Sequence, residues 1–314
     1  MNSPTPLPMF KKIALVGIGL IGSSMAHGAR KHCLAGEIAG YARREETRVA
    51  AQKAGFADSL HDNLESCVKD ADLVVLASPV GSFAEIAPQI GPHLVAGAIV
   101  TDVGSVKMAV IRDVGPHLPE GVHFIPGHPV AGTEQSGPNA GFAELFEGRW
   151  CILTPPPGAD AAALEKLKTF WERLGSKVET MDAAHHDLVL AITSHVPHLI
   201  AYNIVGTAAD LEEVTESEVI KFSAGGFRDF TRIAASDPTM WRDVFLNNRE
   251  AVLEMLGRFN EDLSALQRAI RWGDGDELQN FFTRTRAIRR SIIEAGQDIE
   301  APDFGRSQKE KDTD

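Results

Sequence analysis

A doubly wound parallel α/β sheet followed by an all-helical domain is the fold this 314-residue sequence predicts. Three observations predict it. The first is Gly17-Ile18-Gly19-Leu20-Ile21-Gly22, a G-x-G-x-x-G run that closes an apolar stretch and opens a helical pattern. The second is an alternation of short apolar runs with helix-period segments as far as residue 182, the pattern of parallel strands joined by crossover helices. The third is a change of character near Ala183, beyond which helical periodicity takes over and β-branched runs are few.

Taken in order, Ile13–Val16 reads as a buried strand, and the glycines release the chain into a helix over Leu20–Lys31. Glu37–Tyr41 is a second strand and Glu45–Ala54 a helix stopped by Gly55. Leu73–Ala77 is a fully apolar strand ended by Ser78-Pro79-Val80, with a helix following from about Ser82 to Ile90. Ala98–Asp102 is a strand and a helix starts near Lys107. Val122–Ile125, Trp150–Leu153 and Lys177–Thr180 read as further strands, and Ala161–Leu174 as a helix. Beyond them, His185–Ala208, Glu216–Phe222, Pro238–Ile270 and Asp274–Ala295 read as helices. Broad apolar stripes such as Trp241–Phe259 need a partner surface, so a homodimer through this region is expected. The expected organisation is a disordered lead (1–10), a dinucleotide-binding domain (11–182), a helical substrate and dimerisation domain (183–298) and a flexible tail (299–314).

Composition narrows the function classes. The chain is 44% hydrophobic and 24% charged with a net charge of −12, which lacks the basic footprint that nucleic-acid binding requires. Three cysteines, with no CxxC, predict no disulfide framework and fit a reducing cytoplasm. The N-terminus MNSPTPLPMFKK has no apolar core of a signal peptide, and no apolar run is expected to approach the ~18 residues of a membrane helix.

The glycine run, set between strand and helix, predicts a Rossmann-type cofactor site. Gly17 allows the tight turn, Gly19 lets a pyrophosphate approach, and Gly22 lets helix and strand pack closely. The helix entry at Leu20 and Ile21 supplies free amides for phosphate. Ser78, Pro79, Val80 and Asp102 stand at carboxyl ends of strands, where such ligands bind. An acidic residue about 20 positions beyond the glycines ordinarily bonds the ribose 2′-hydroxyl. Here that position is Ala42, followed by Arg43 and Arg44. A missing carboxylate and two guanidinium groups favour NADP, or use of both NADP and NAD. Solvated arginines, with Glu45 or Glu46 reaching the ribose, are the alternative.

Three further stretches carry candidate chemistry. In Thr101-Asp102-Val103-Gly104-Ser105-Val106-Lys107, Ser105 is placed either to cap the next helix or to face the nicotinamide end of the cleft. In Pro126-Gly127-His128-Pro129, His128 is read as a loop histidine just past a strand and a candidate general base. The third comprises Ser194-His195-Val196-Pro197-His198 and Gly225–Arg232. His195 and His198 share a helix face, but no further ligands complete a metal site, so none is expected. Arg228 and Arg232 are spaced for a surface ion pair with Asp229, or for capture of a substrate carboxylate.

At GIGLIG, DVGSVK, GHPVAGTEQSG, SHVPH and GGFRDFTRIAASDPTMW, over residues 11 to 300, the sequence resembles the prephenate/arogenate dehydrogenase family. The resemblance implies a Rossmann domain, a helical dimerisation domain and oxidative decarboxylation of prephenate or arogenate, in tyrosine biosynthesis. It implies that His128 is the catalytic histidine on the ring hydroxyl and Ser105 its hydrogen-bonding partner. It implies that Arg232 binds a substrate carboxylate and that His198 lines the pocket. Thr133 and Glu134 would sit near the substrate side chain. Asp229 and Trp241 would lie near the pocket, the tryptophan reaching across the dimer. The sequence departs from family patterns in lacking the ribose-binding acid at Ala42, and neither a regulatory ACT domain nor a fused chorismate mutase is expected. Two alternatives stand beside it: a β-hydroxyacid dehydrogenase or imine reductase of similar architecture, and a non-catalytic nicotinamide-binding sensor.

Overall fold

The computed structural model describes residues 7–133, 135–212 and 224–294. The helix expected over Glu216–Phe222 and the flexible tail lie outside the described residues. The first half runs β1 (Phe10–Val16), α1 (Leu20–Lys31), β2 (Ala35–Tyr41), α2 (Glu45–Ala54), β3 (Ser59–His61) and α3 (Leu64–Val68). It continues through β4 (Leu73–Leu76), α4 (Phe83–Ile90), β5 (Ile99–Asp102), α5 (Met108–Val114) and β6 (His123–Phe124). The six strands form one sheet in the order β3-β2-β1-β4-β5-β6. Every pairing in it is parallel.

Strand residues alternate between two cores. Ile13, Leu15, Ile38, Leu73, Val75 and Ile99 face one cluster, and Ala14, Val16, Ala39, Val74, Leu76 and Val100 face the other. Burial on both faces is why these strands read as continuous apolar runs. β1 begins at Phe10, three residues earlier than expected, and Phe10 is fully buried, so the end of the supposed lead belongs to the sheet. β3 and α3, three and five residues long, are too short to leave a periodic signal in the sequence. Strand order reverses between β1 and β4, which opens a crevice at their carboxyl ends.

The remaining strands correct the single-sheet expectation. β7 (Gly127–Pro129), β8 (Trp150–Leu153) and β9 (Lys177–Thr180) form a separate three-stranded sheet, with β7 antiparallel to β8. His128 therefore sits on a strand opposite Ile152, not in a loop. The prolines around it hide the strand from a sequence reading, but an edge strand tolerates Pro129. Helix α6 (Ala161–Arg173), capped by Asp160, connects β8 to β9.

Next come α7 (Ala183–Leu190), a π turn (Ala191–His195) and α8 (Val196–Glu212). Pro197 cannot donate to Thr193 and crowds its carbonyl, which accounts for the widened turn. By length and composition, Ala183–Leu211 is apolar enough to cross a membrane, with a mean hydropathy of 1.5, contrary to the expectation from sequence. Its His186, Asp187 and His195 are nonetheless buried polar residues, and the first two bond His128 and Lys107 of the α/β part. Helix α9 (Gly225–Thr231), α10 (Pro238–Asn247), α11 (Arg249–Trp272) and α12 (Gly275–Ile292) complete the described chain. The single helix expected over Pro238–Ile270 is thus two, broken at Asn248. The chain divides into two compact units between Met255 and Leu256.

Candidate active site

The glycine turn is built for a ligand that approaches main chain. Gly17 has φ +107°, and a Cβ there would lie 2.5 Å from the Ala77 carbonyl carbon, where β1 and β4 end side by side. A Cβ on Gly22 would stand 2.3 Å from the Gly17 oxygen, so helix and turn touch. A Cβ on Gly19, by contrast, would meet nothing within 4 Å. Gly19 also caps α1 without any side-chain bond, leaving the first-turn amides of Leu20 and Ile21 open. One glycine of three thus faces open space at a helix N-terminus, the arrangement that fits a dinucleotide pyrophosphate. Ser78 abuts the same turn, and its hydroxyl bonds Ser82 at 2.9 Å. Val80 is buried under the crevice. At the end of β2, Arg43 and Arg44 are exposed and carry no ion pair among the described residues. Arg48 instead ties that corner by donating to the Ala42 and Arg43 carbonyls at 2.8 and 3.0 Å.

Asp102 does not face the crevice as expected. Its carboxylate is wholly buried, forms an ion pair with Lys107, and accepts the amides of Gly104 at 2.7 Å and Gly127 at 3.1 Å. Lys107, equally buried, also donates to the Gly127 carbonyl at 2.6 Å. The pair locks the end of β5 to the start of β7. Burial pushes Asp102 up and Lys107 down from their ordinary pKa values, and each partner's charge opposes that.

Beyond this pair lies a chain of buried polar groups. His128 Nδ1 is 2.9 Å from His186 Nε2, and His186 Nδ1 is 2.8 Å from Asp187 Oδ1. The Asp187 carboxylate also accepts the amides of Lys107 at 2.7 Å and Met108 at 2.9 Å, so it caps α5. The cap comes from a helix eighty residues away, and Ser105 does not perform it. Nor does Ser105 bond the His128 Nδ1, whose partner is His186. Asn248 Nδ2 donates to the Asp187 carbonyl at 2.8 Å and lies 3.1 Å from His195 Nδ1. Burial holds His128 well below the usual imidazole range, aided by the charges of His186, Lys107 and His195. His195 is pushed down to about 4, chiefly by burial.

The remaining candidates gather around His198. Its ring stacks on Trp241, with centroids 3.7 Å apart and planes 25° apart, and Trp241 also meets His195 edge-on at 6.0 Å. Trp241, expected to reach across a dimer, is buried against these two rings of its own chain. His198 Nδ1 donates to the Ser194 carbonyl at 2.8 Å, which leaves Nε2 as an acceptor. Burial lowers its pKa, and the nearby Arg232 charge adds to that. Arg232 is exposed at the start of a helical turn after α9. Asp229 is exposed and pairs with Arg228 at 3.4 Å. Thr133 is exposed and accepts the Gln135 amide at 3.2 Å, while Glu134 lies outside the described residues.

Lys107, His186, Asp187 and Asn248 were not singled out from sequence. The available signal was His185-His186-Asp187, three polar residues at the head of an apolar helix.

A pyrophosphate cradle at the strand-order reversal and a buried, uncharged histidine define a nicotinamide-dependent oxidoreductase. Comparison with known proteins gives the family. Residues 25–180 match the family profile "Prephenate dehydrogenase, nucleotide-binding domain", and residues 182–284 match "Prephenate dehydrogenase, dimerization domain". The chain belongs to the prephenate dehydrogenase family. It is 40% identical over 286 residues to a cyclohexadienyl dehydrogenase of Zymomonas mobilis, covering 91% of this chain and 97% of that one. It is 34% identical to a prephenate dehydrogenase of Bacillus subtilis, covering 89% of this chain and 76% of that one. A crystal structure of Aquifex aeolicus prephenate dehydrogenase with hydroxyphenyl propionate and NAD+ superimposes with a TM-score of 0.84 at 35% identity. That match covers 92% of this chain and 100% of the other. Synechocystis arogenate dehydrogenase gives a TM-score of 0.76 at 28% identity, covering 90% of this chain and 99% of that one.

Proposed function

We propose that this chain catalyses NAD(P)-dependent oxidative decarboxylation of prephenate, arogenate or both, yielding 4-hydroxyphenylpyruvate or tyrosine and CO2, in tyrosine biosynthesis. The observation that carries this is His128, buried and held uncharged, on a strand that Asp102 and Lys107 bind to the carboxyl end of the cofactor sheet. An uncharged imidazole is the form that accepts a hydroxyl proton. The bound nicotinamide supplies the hydride acceptor. His128 takes the ring hydroxyl proton as the carbinol carbon is oxidised, and CO2 then leaves because the ring becomes aromatic. Arg232 holds a substrate carboxylate by charge-assisted hydrogen bonds, and His198, stacked on Trp241, offers Nε2 to the pocket. Thr133, Glu134 and Asp229 complete the substrate side, and Ser105 faces the nicotinamide end of the cleft.

Gly17, Gly19, Leu20, Ile21, Gly22, Ser78, Pro79 and Val80 hold the cofactor in this reading. Exposed Arg43 and Arg44 beside Ala42 favour NADP, or use of both cofactors. The homodimer reading draws on the matched dimerisation domain and on exposed Leu246 and Leu253 in one unit and Ile270 and Trp272 in the other. A cytoplasmic location accords with three free cysteines. The hydroxyacid dehydrogenase alternative, which calls for a lysine in the first interdomain helix, is disfavoured because Ala183–Glu212 contains none. The test is absorbance of reduced nicotinamide with prephenate and arogenate, each crossed with NAD and NADP. Turnover in any pairing supports the reaction; silence in all four, with cofactor binding shown separately, overturns it.

A further inference from the structure

We propose that His186 and Asp187 are positioning residues that set the tautomer of His128, so that Nδ1 carries the proton and Nε2 is the bare, proton-accepting nitrogen. This rests on reading His128 as the base, but it concerns where the protons stand, which can be measured apart from turnover.

The geometry gives the chain a direction. Asp187 receives two main-chain amides, Lys107 on Oδ1 and Met108 on Oδ2, and these can only donate. Its side chain is therefore committed as an acceptor, and its third neighbour, His186 Nδ1, is the donor at 2.8 Å. Burial lowers the pKa of His186, so its ring is uncharged and has one N–H. With that proton on Nδ1, Nε2 is an acceptor. It sits 2.9 Å from His128 Nδ1, which must donate. The proton on His128 is thus assigned to Nδ1, and Nε2 keeps the lone pair. Reversing any one tautomer places two donors or two lone pairs face to face in a buried site. His186 is fully buried and Asp187 nearly so, so they act on the reaction through His128.

The same carboxylate has a second consequence. By capping α5 it holds the segment that leads from Asp102 through Ser105 to Lys107. One residue of α7 thus fixes both the ring of the base and the loop bearing the Ser105 hydroxyl. Asn248, donating to the Asp187 carbonyl, braces that residue from the break between α10 and α11.

The direct test is nitrogen-15 NMR of the histidine rings in the full-length chain at neutral pH, with His128 identified by the signal lost in His128→Asn. The expected result is a protonated Nδ1 and a bare Nε2 on His128; the opposite assignment overturns the proposal without any variant of the relay having to fold. In kinetics, His186→Leu removes the acceptor and is expected to lower kcat about 10- to 100-fold, less than the ~10⁴ seen when a triad carboxylate is lost. KM for substrate and cofactor should stay within about twofold, because neither residue has a free surface for them. His186→Gln, which restores an acceptor oxygen, should recover most of that kcat. A His186→Leu enzyme with unchanged kcat, or a Gln variant no better than Leu, would count against the relay. Should His128→Asn keep normal turnover, the base assignment falls, while the ring-nitrogen spectrum still decides the tautomer.

Discussion

Lys107 and Asp102 form an ion pair with no solvent exposure at either side chain. Two charges withdrawn from water are costly, and here they are offset by each other and by hydrogen bonds from the Gly104 and Gly127 amides and to the Gly127 carbonyl. Losing one partner strands the other. Lys107→Met is expected to destabilise the fold by about 3–5 kcal/mol, measured by denaturant unfolding. Adding Asp102→Asn should recover part of that loss; a double variant as unstable as the single would show that the charge pairing is not the cause.

His128 should dominate the chemical step. His128→Asn is expected to lower kcat by about 10²–10⁴, the usual worth of a general base. Because burial holds its pKa well below 6.5, the uncharged form is already present at neutrality. The rate should therefore rise with pH only on the acid side and be level from about pH 6.5 upward. A pH profile of kcat/KM that still climbs steeply between pH 7 and 8 would contradict the assignment.

The same depressed values make acid the weak side of the fold. His195 is held at about 4 against an ordinary 6.5. The unfolded chain thus binds more protons between those values, so stability is fully present above pH 6.5 and drains away as pH falls toward 4. For His195 alone this amounts to about 3 kcal/mol. His195→Phe should flatten the acid limb of a Tm-against-pH curve, and an unaltered limb would refute it.

Two glycines in one motif should fail differently. Gly19→Ala meets no atom within 4 Å, so Tm should hold while KM for the nicotinamide rises. Gly17→Ala forces a side chain onto φ +107° and into the Ala77 main chain, and should destabilise the protein itself. Equal loss of Tm in both would remove the cofactor role from Gly19.

Arg232 is exposed and acts, on the proposed reading, by binding substrate. Arg232→Gln is expected to raise substrate KM at least tenfold, on the order of one charge-assisted hydrogen bond, with a smaller change in kcat. Steady-state kinetics with varied substrate at saturating cofactor would show it; an unchanged KM would exclude the carboxylate contact.

Much of the sheet was legible in the chain, because its causes are local. The helix bounds Leu20–Lys31 and Glu45–Ala54, and the strand Trp150–Leu153, follow from apolar spacing, a glycine stop and a turn that only glycine adopts. The glycine cradle was legible for the same reason, since strand, turn and helix are contiguous. His128 could be picked out as a candidate base by residue type and neighbours, but not its strand, its tautomer or its charge.

Those were decided by tertiary structure. Asp102 looks like a ligand-facing acid in sequence and becomes a buried half of an ion pair only because β7 closes over the end of β5. His186 lies 58 residues from His128, and Asp187 eighty from the helix it caps. The break at Asn248 makes sense only once that side chain reaches the Asp187 carbonyl. The physical reason is one of range. Backbone preference and hydrophobic period act between near neighbours, whereas burial, and with it the direction of every proton in the relay, depends on which distant segments exclude water from one another.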